Sequence, residues 1–158
     1  MKHSINIILI LVVLCGCCNS CNNNNSNGKQ LEQYTPNREI TGKYDHSLAV
    51  KCENGTFVGS RKDGILIFKG VPYAVQPTGR MRWRAPQAPE KSDKVYEALH
   101  FAHSAMQTVS HDEPAGMYEQ GDDMLALNVW TGDLNSKKPV MVFIHGGAFV
   151  IGGTADPQ

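Results

Sequence analysis

The run Pro139-Val140-Met141-Val142-Phe143-Ile144-His145-Gly146-Gly147-Ala148-Phe149 constrains this chain more than any other stretch. Its first half is apolar without alternation, the pattern of a strand buried on both faces in the middle of a parallel or mixed sheet. Such a strand needs neighbours on both sides and helices over both faces. Left unpaired, its apolar edge favours aggregation. At His145-Gly146-Gly147 the apolar run breaks. Adjacent glycines let a backbone turn sharply and approach something closely. Successive N–H groups in a turn of that kind form an anion-binding nest.

The residues before it read as short strands separated by turns. Leu48-Ala49-Val50-Lys51-Cys52 runs into Glu53-Asn54-Gly55, where Asn-Gly favours a tight hairpin, and Thr56 to Ser60 returns from it. Asn54-Gly55-Thr56 also fits a glycosylation acceptor, although the turn explains the same residues. Asp63-Gly64 marks a second turn before Ile65-Leu66-Ile67-Phe68, so the region predicts a small antiparallel set. Pro72, Pro77, Pro86 and Pro89 forbid a helix and predict an extended, ordered path, with Trp83 packing it down in preference to a binding role. Lys94 to Leu99 predicts another short strand. Leu125, Leu127 and Val129 alternate on one side of a further strand ending at Thr131. A polar connection, Gly132 to Lys138, leads into the central run. His100, His103 and His111 lack a metal-ligand arrangement and read as surface or loosely packed histidines.

The first 30 or so residues differ in kind from the rest. Lys2 and His3 precede the apolar run Ile5 to Leu14, which reads as an export signal over residues 1–16. Leu14-Cys15-Gly16-Cys17 resembles a bacterial lipoprotein cleavage box, with Cys17 the lipidation site and Cys15 unusual within it. That reading predicts an exported protein anchored to a membrane face through lipid, without spanning it. The alternative is an ordinary secreted protein with stray cysteines. Residues 17–32 are rich in asparagine and serine, cannot bury enough surface to fold, and form a predicted disordered tether or plain low complexity. Cys52 alone lies in the candidate folded part, residues 33–158, so no internal disulfide framework is expected there. Formal net charge is zero and gives no reason to expect nucleic acid as a partner.

The motif His145-Gly146-Gly147-Ala148-Phe149 resembles the oxyanion-hole motif of the α/β-hydrolases. Taken with Phe68-Lys69-Gly70-Val71-Pro72-Tyr73-Ala74, the loop Gln76-Pro77-Thr78-Gly79, the phrase Arg82-Trp83-Arg84 and the stretch Asp122 to Trp130, the chain resembles the N-terminal part of a type-B carboxylesterase of the cholinesterase-like family. The resemblance implies an α/β fold, of which this is the N-terminal, mostly β portion, incomplete. It also implies a structural ion pair between Arg82 and Asp122, whose loss in Arg82→Met then destabilises the fold clearly. The family's usual cysteines fall at Met106 and Met124 here, so both partners of that disulfide are absent together. Losing a loop-closing disulfide forfeits roughly 2–4 kcal/mol unless packing, here by two methionines, compensates.

Ester hydrolysis by a serine enzyme needs a nucleophile, a base, an orienting acid and donors for the developing oxyanion. The resemblance supplies the donors: the N–H groups of Gly147 and Ala148, with Gly146 allowing the turn. A side chain at these glycines is expected to clash with the bound acyl group. His145 braces the loop and is not the base. No Gly-x-Ser-x-Gly elbow occurs, and in the family the serine, acid and histidine all follow the oxyanion loop. No catalytic residue is therefore assigned, and the chain alone is expected to be inactive. A truncated gene product, a split gene and a fragmentary gene model all fit. The implied substrate is a small-molecule carboxylic ester; no cofactor and no metal are implied. The alternative is a non-catalytic exported lipoprotein or a binding module derived from a hydrolase domain.

Overall fold

Turn chemistry decides where the strands begin and end. The computed structural model describes residues 35–108 and 119–155, all within the unit Leu31–Gln158. The leader, the tether, Cys17 and His111 lie outside the described residues. The 3-10 turn His46–Leu48 is capped by Asp45, whose carboxylate accepts the Ser47 N–H at 2.8 Å. Six strands follow among the described residues: β1 Ala49–Cys52, β2 Gly55–Val58, β3 Ser60–Lys62, β4 Ile65–Pro72, β5 Val95–Glu97 and β6 Ala126–Thr131. They form two three-stranded sheets, ordered β1-β2-β5 and β3-β4-β6. A second 3-10 turn, Gly79–Met81, lies on the proline-rich path.

The hairpin β3–β4 turns on Asp63 (φ 50°) and Gly64 (φ 79°), with Lys62 opposite Ile65. Two consecutive left-handed residues suit the twist of paired strands, which is why Asp-Gly works there. The β1–β2 hairpin turns one residue earlier than Asn-Gly suggests, on Glu53 and Asn54, with Cys52 opposite Gly55. Gly55 serves packing instead. A Cβ there would lie 2.9 Å from the Tyr96 ring and 3.2 Å from the Lys94 carbonyl. Its absence lets β5 lie against β2, in parallel rather than antiparallel register.

The core is small. Phe57, Leu66, Phe68 and Ala98 are buried, with Leu48, Val50, Val71 and Tyr96 packed against them. Leu66 and Phe68 share one face of β4 by the two-residue period of a strand. The rings of Phe57 and Tyr96 stack at 5.9 Å.

Between Phe68 and Val71 the β4–β6 register shifts. Gly70 (φ 68°) turns out of the ladder, and its N–H donates to Asn128 Oδ1 at 2.8 Å. Asn37 secures the same bulge from the other side. Its Nδ2 donates to the carbonyls of Lys69 (2.9 Å) and His100 (3.0 Å), and its Oδ1 accepts from the N–H groups of Leu99 (2.9 Å) and His100 (3.0 Å).

Several expectations are corrected. Residues 139–144 form no strand, and Val140 to Ile144 are 66–91% exposed. A doubly buried strand is stable only between partners, and no described segment pairs with this one. The Leu127 and Val129 side of β6 faces outward, while Ala126 is buried. Trp83 does not pack the proline-rich path down: it is 94% exposed at φ 62°. Met106 is 62% exposed and fills no space left by a disulfide.

Membrane character is also corrected for the described residues; the leader and Cys17 lie outside them. Among the described residues no helix is long and apolar enough to cross a membrane. Crossing takes about 20 apolar residues, and the apolar run Val140 to Ile144 falls far short of that.

Candidate functional site

The residues after Ile144 make the turn that carries the proposed chemistry. Left-handed backbone begins at Gly147 (φ 113°), not at Gly146, and continues through Ala148 (φ 53°) and Phe149 (φ 63°). Holding non-glycine residues there costs roughly 1–3 kcal/mol each. The Gly147 carbonyl offsets this by accepting two N–H groups, from Val150 at 2.9 Å and Ile151 at 3.0 Å. A Cβ on Gly147 would collide with the Ile151 carbonyl, whereas one on Gly146 would meet nothing within 4 Å. The glycine requirement at 147 is thus internal to the turn and does not depend on a bound acyl group.

Neither the Gly147 nor the Ala148 N–H donates a hydrogen bond among the described residues. Ala148 is exposed and Gly147 half-buried. His145 Nδ1 lies 2.8 Å from the Gly146 carbonyl. A carbonyl only accepts, so this contact fixes the proton on Nδ1. The ring thereby braces the entry to the turn. Gly152 (φ 107°) closes its exit: a Cβ there would lie 2.6 Å from the Gly146 oxygen and 2.7 Å from His145 Nδ1.

Carboxamide side chains hold the exit. Gln107 Oε1 accepts the Gly152 N–H at 2.7 Å, and its Nε2 donates to the Gly152 carbonyl at 2.9 Å. Asn128 Nδ2 donates to the Thr154 carbonyl at 3.1 Å. No sequence motif marks these contacts. A lone glutamine carries no motif, and only its distance from Gly152 reveals its partner.

Arg82 and Asp122 are both exposed, and no ion pair joins them. The neighbouring aspartate, Asp123, pairs instead with His103 Nδ1. His103 is consequently no loose surface residue; its ring lies against Gly121. Among the described residues no group of three or more histidine, cysteine, aspartate or glutamate side chains is placed to hold a metal ion. A cavity of about 610 Å³ opens elsewhere, bordered by Asn37, Phe57, Tyr96, Phe101 and Asp123. Residues 145–149 do not line it, so cavity size does not locate the chemistry here.

The turn sits at the end of a pattern that known proteins share. The model of the carboxylesterase family matches residues 46–157. This chain belongs to the carboxylesterase family. It is 36% identical over 114 residues to the para-nitrobenzyl esterase of Bacillus subtilis (strain 168), covering 68% of this chain and 23% of that protein. It is 39% identical over 122 residues to the phenmedipham hydrolase of Pseudarthrobacter oxydans, covering 72% of this chain and 23% of that one.

Among solved structures, a thermophilic para-nitrobenzyl esterase superposes with a TM-score of 0.59 at 34% identity, over 66% of this chain and 22% of that one. A carboxylesterase of Geobacillus stearothermophilus does so with a TM-score of 0.57 at 36% identity, over 66% and 21%. This carboxylesterase-family chain therefore spans less than a quarter of the length of these relatives. Its fold is the N-terminal, mostly β portion of an incomplete α/β-hydrolase fold.

Proposed function

We propose that this chain is the segment of a carboxylic ester hydrolase that supplies the oxyanion hole, with the nucleophile, acid and base residing on other residues. The observation that carries this reading is the left-handed turn at Gly147 and Ala148, whose two N–H groups donate to no described residue. When a serine attacks an ester carbonyl, the carbonyl oxygen gains negative charge. Donors already aimed at that oxygen stabilise the transition state without reorganising, each worth roughly 3 kcal/mol. The collision that a Cβ on Gly147 would make, the His145 brace and the Gly152 closure all favour one fixed backbone shape. The substrate class is a small carboxylic ester, by analogy with the esterase names of the relatives.

The test is a chimera. Residues 46–157 replace the matching segment of the Bacillus subtilis para-nitrobenzyl esterase, and hydrolysis of a p-nitrophenyl ester is followed. The chimera is expected to turn over ester while this chain by itself does not. A folded chimera without hydrolysis, or turnover by this chain alone, contradicts the proposal. The first result would favour a binding module derived from a hydrolase.

A further inference from the structure

Two glutamines form a relay that ends on the oxyanion-type turn. Ser104 and Gln120 make an isolated parallel bridge, with the Ser104 N–H donating to the Glu119 carbonyl at 2.8 Å and the Gly121 N–H to the Ser104 carbonyl at 3.1 Å. That bridge fixes the Gln120 backbone. The Gln120 side chain then grips the Gln107 backbone on both of its polar groups: Oε1 accepts the Gln107 N–H at 2.9 Å, and Nε2 donates to the Gln107 carbonyl at 2.9 Å. Gln107 repeats the move on Gly152, at 2.7 and 2.9 Å, while its Nε2 also donates to the Ala105 carbonyl at 3.0 Å. Each carboxamide matches a backbone amide, donor to acceptor and acceptor to donor, and so substitutes for one rung of a sheet. A Cβ on Gly152 would meet the Gly146 oxygen and the His145 ring, so its backbone lies close to both, and the Ile151 N–H donates to the Gly147 carbonyl.

We infer that Gln107 is a positioning residue for the oxyanion hole, acting through Gly152, with Gln120 holding Gln107 in place. This rests on the oxyanion reading above for its purpose, though not for its geometry. Gln107 touches no reacting atom. Its effect is to keep a strained left-handed turn from relaxing into one of the commoner backbone conformations. Because two donors and one acceptor of its carboxamide are engaged, a substitute must offer both kinds of group. A protonated carboxyl does so; an ionised carboxylate would face the Gly152 and Ala105 carbonyls with negative charge and no proton.

The test uses the full chain, labelled with nitrogen-15, and reads amide resonances and hydrogen-exchange protection. In the wild type the Gly152 N–H is expected to exchange at least about tenfold more slowly than an unstructured amide. Gln107→Ala is expected to abolish that protection and to move the Gly147 and Ala148 resonances. The β4–β6 amides of Ile67 and Val129 stay in place and report that the sheet is folded. Gln107→Glu supplies the second arm, should the alanine variant fail to fold. Its Gly147 and Ala148 resonances should return toward the wild-type positions as pH falls and the introduced carboxyl gains its proton. The wild type, carried through the same pH series, is the baseline for that comparison.

Lost Gly152 protection with unmoved Gly147 and Ala148 resonances overturns the inference. So does a glutamate variant whose turn resonances ignore pH. Failure of the oxyanion reading would look different: the relay spectra would behave as stated, while a chimera would hydrolyse ester regardless of whether Ala148 carried its N–H.

Discussion

Residues 46–72 and residues 139–155 are both rich in apolar side chains, yet the chain treats them differently. In the first region Leu66 and Phe68 find Phe57 and Ala98 across a sheet interface, and backbone ladders do the rest. In the second, Val140 to Ile144 face solvent, and among the described residues the side chains of Gln107 and Asn128 tie its far end to the rest of the fold. The difference shows that apolar content does not make a strand. A two-residue period with a partner in reach does so locally; a continuous apolar run does so only when other segments supply both faces.

The comparison can be broken at its strong side first. Leu66→Ala removes a buried side chain from the core and should destabilise by about 2–5 kcal/mol, read as a lower urea midpoint. Val142→Ser, an equally apolar position by sequence, should change the unfolding free energy by no more than about 0.5 kcal/mol. It should instead lower binding of a hydrophobic dye, because it interrupts an exposed apolar patch. Equal losses from the two substitutions would mean that the second region is buried after all.

Glycines sharpen the contrast next. Gly64→Ala places a Cβ at φ 79° in the β3–β4 turn and should cost roughly 1 kcal/mol or more in urea unfolding. Gly146→Ala meets open space and ordinary backbone, so its unfolding free energy should stay within about 0.5 kcal/mol of the wild type. Arg82→Met should fall in the same narrow range, about 0.5 kcal/mol, since Arg82 is exposed and unpaired with Asp122. A large loss there would restore the ion pair that family resemblance implied.

The smallest effect lies at Asp45. Its carboxyl is held below the ordinary carboxylate value by hydrogen bonds from Ser47. A depressed folded value means that this contribution is present at neutral pH and is lost as pH falls through the acid range. Asp45→Asn should remove that component, and a pH series of melting temperatures for the two proteins should converge at low pH.

Much of the fold was legible because its signals are local. Asp63-Gly64 dictates its own turn, and the spacing of Leu66 and Phe68 dictates a buried face. The segment Val140 to Ile144 departs from its sequence pattern for the converse reason: burial of such a run depends on neighbours that the run itself does not encode. Trp83 and Asp123 illustrate a third case. A family phrase named Arg82 and Asp122 as partners, but the bond in this structure joins the adjacent aspartate to His103, and the tryptophan faces solvent. For the candidate site, two glycines pointed to the turn, while Gln107, 45 residues from Gly152, could be found only in three dimensions.

The most direct measurement removes the Ala148 N–H while keeping every side chain; it also makes the Gly147 carbonyl an ester carbonyl, a weaker acceptor for the Val150 and Ile151 N–H groups. In the chimera with the Bacillus subtilis esterase, the α-hydroxy analogue of alanine introduced at position 148 replaces the backbone amide by an ester. If Ala148 donates to the oxyanion, kcat should fall by about 10²–10³ with KM little changed. An unchanged kcat in a folded, ester-hydrolysing chimera would contradict the account.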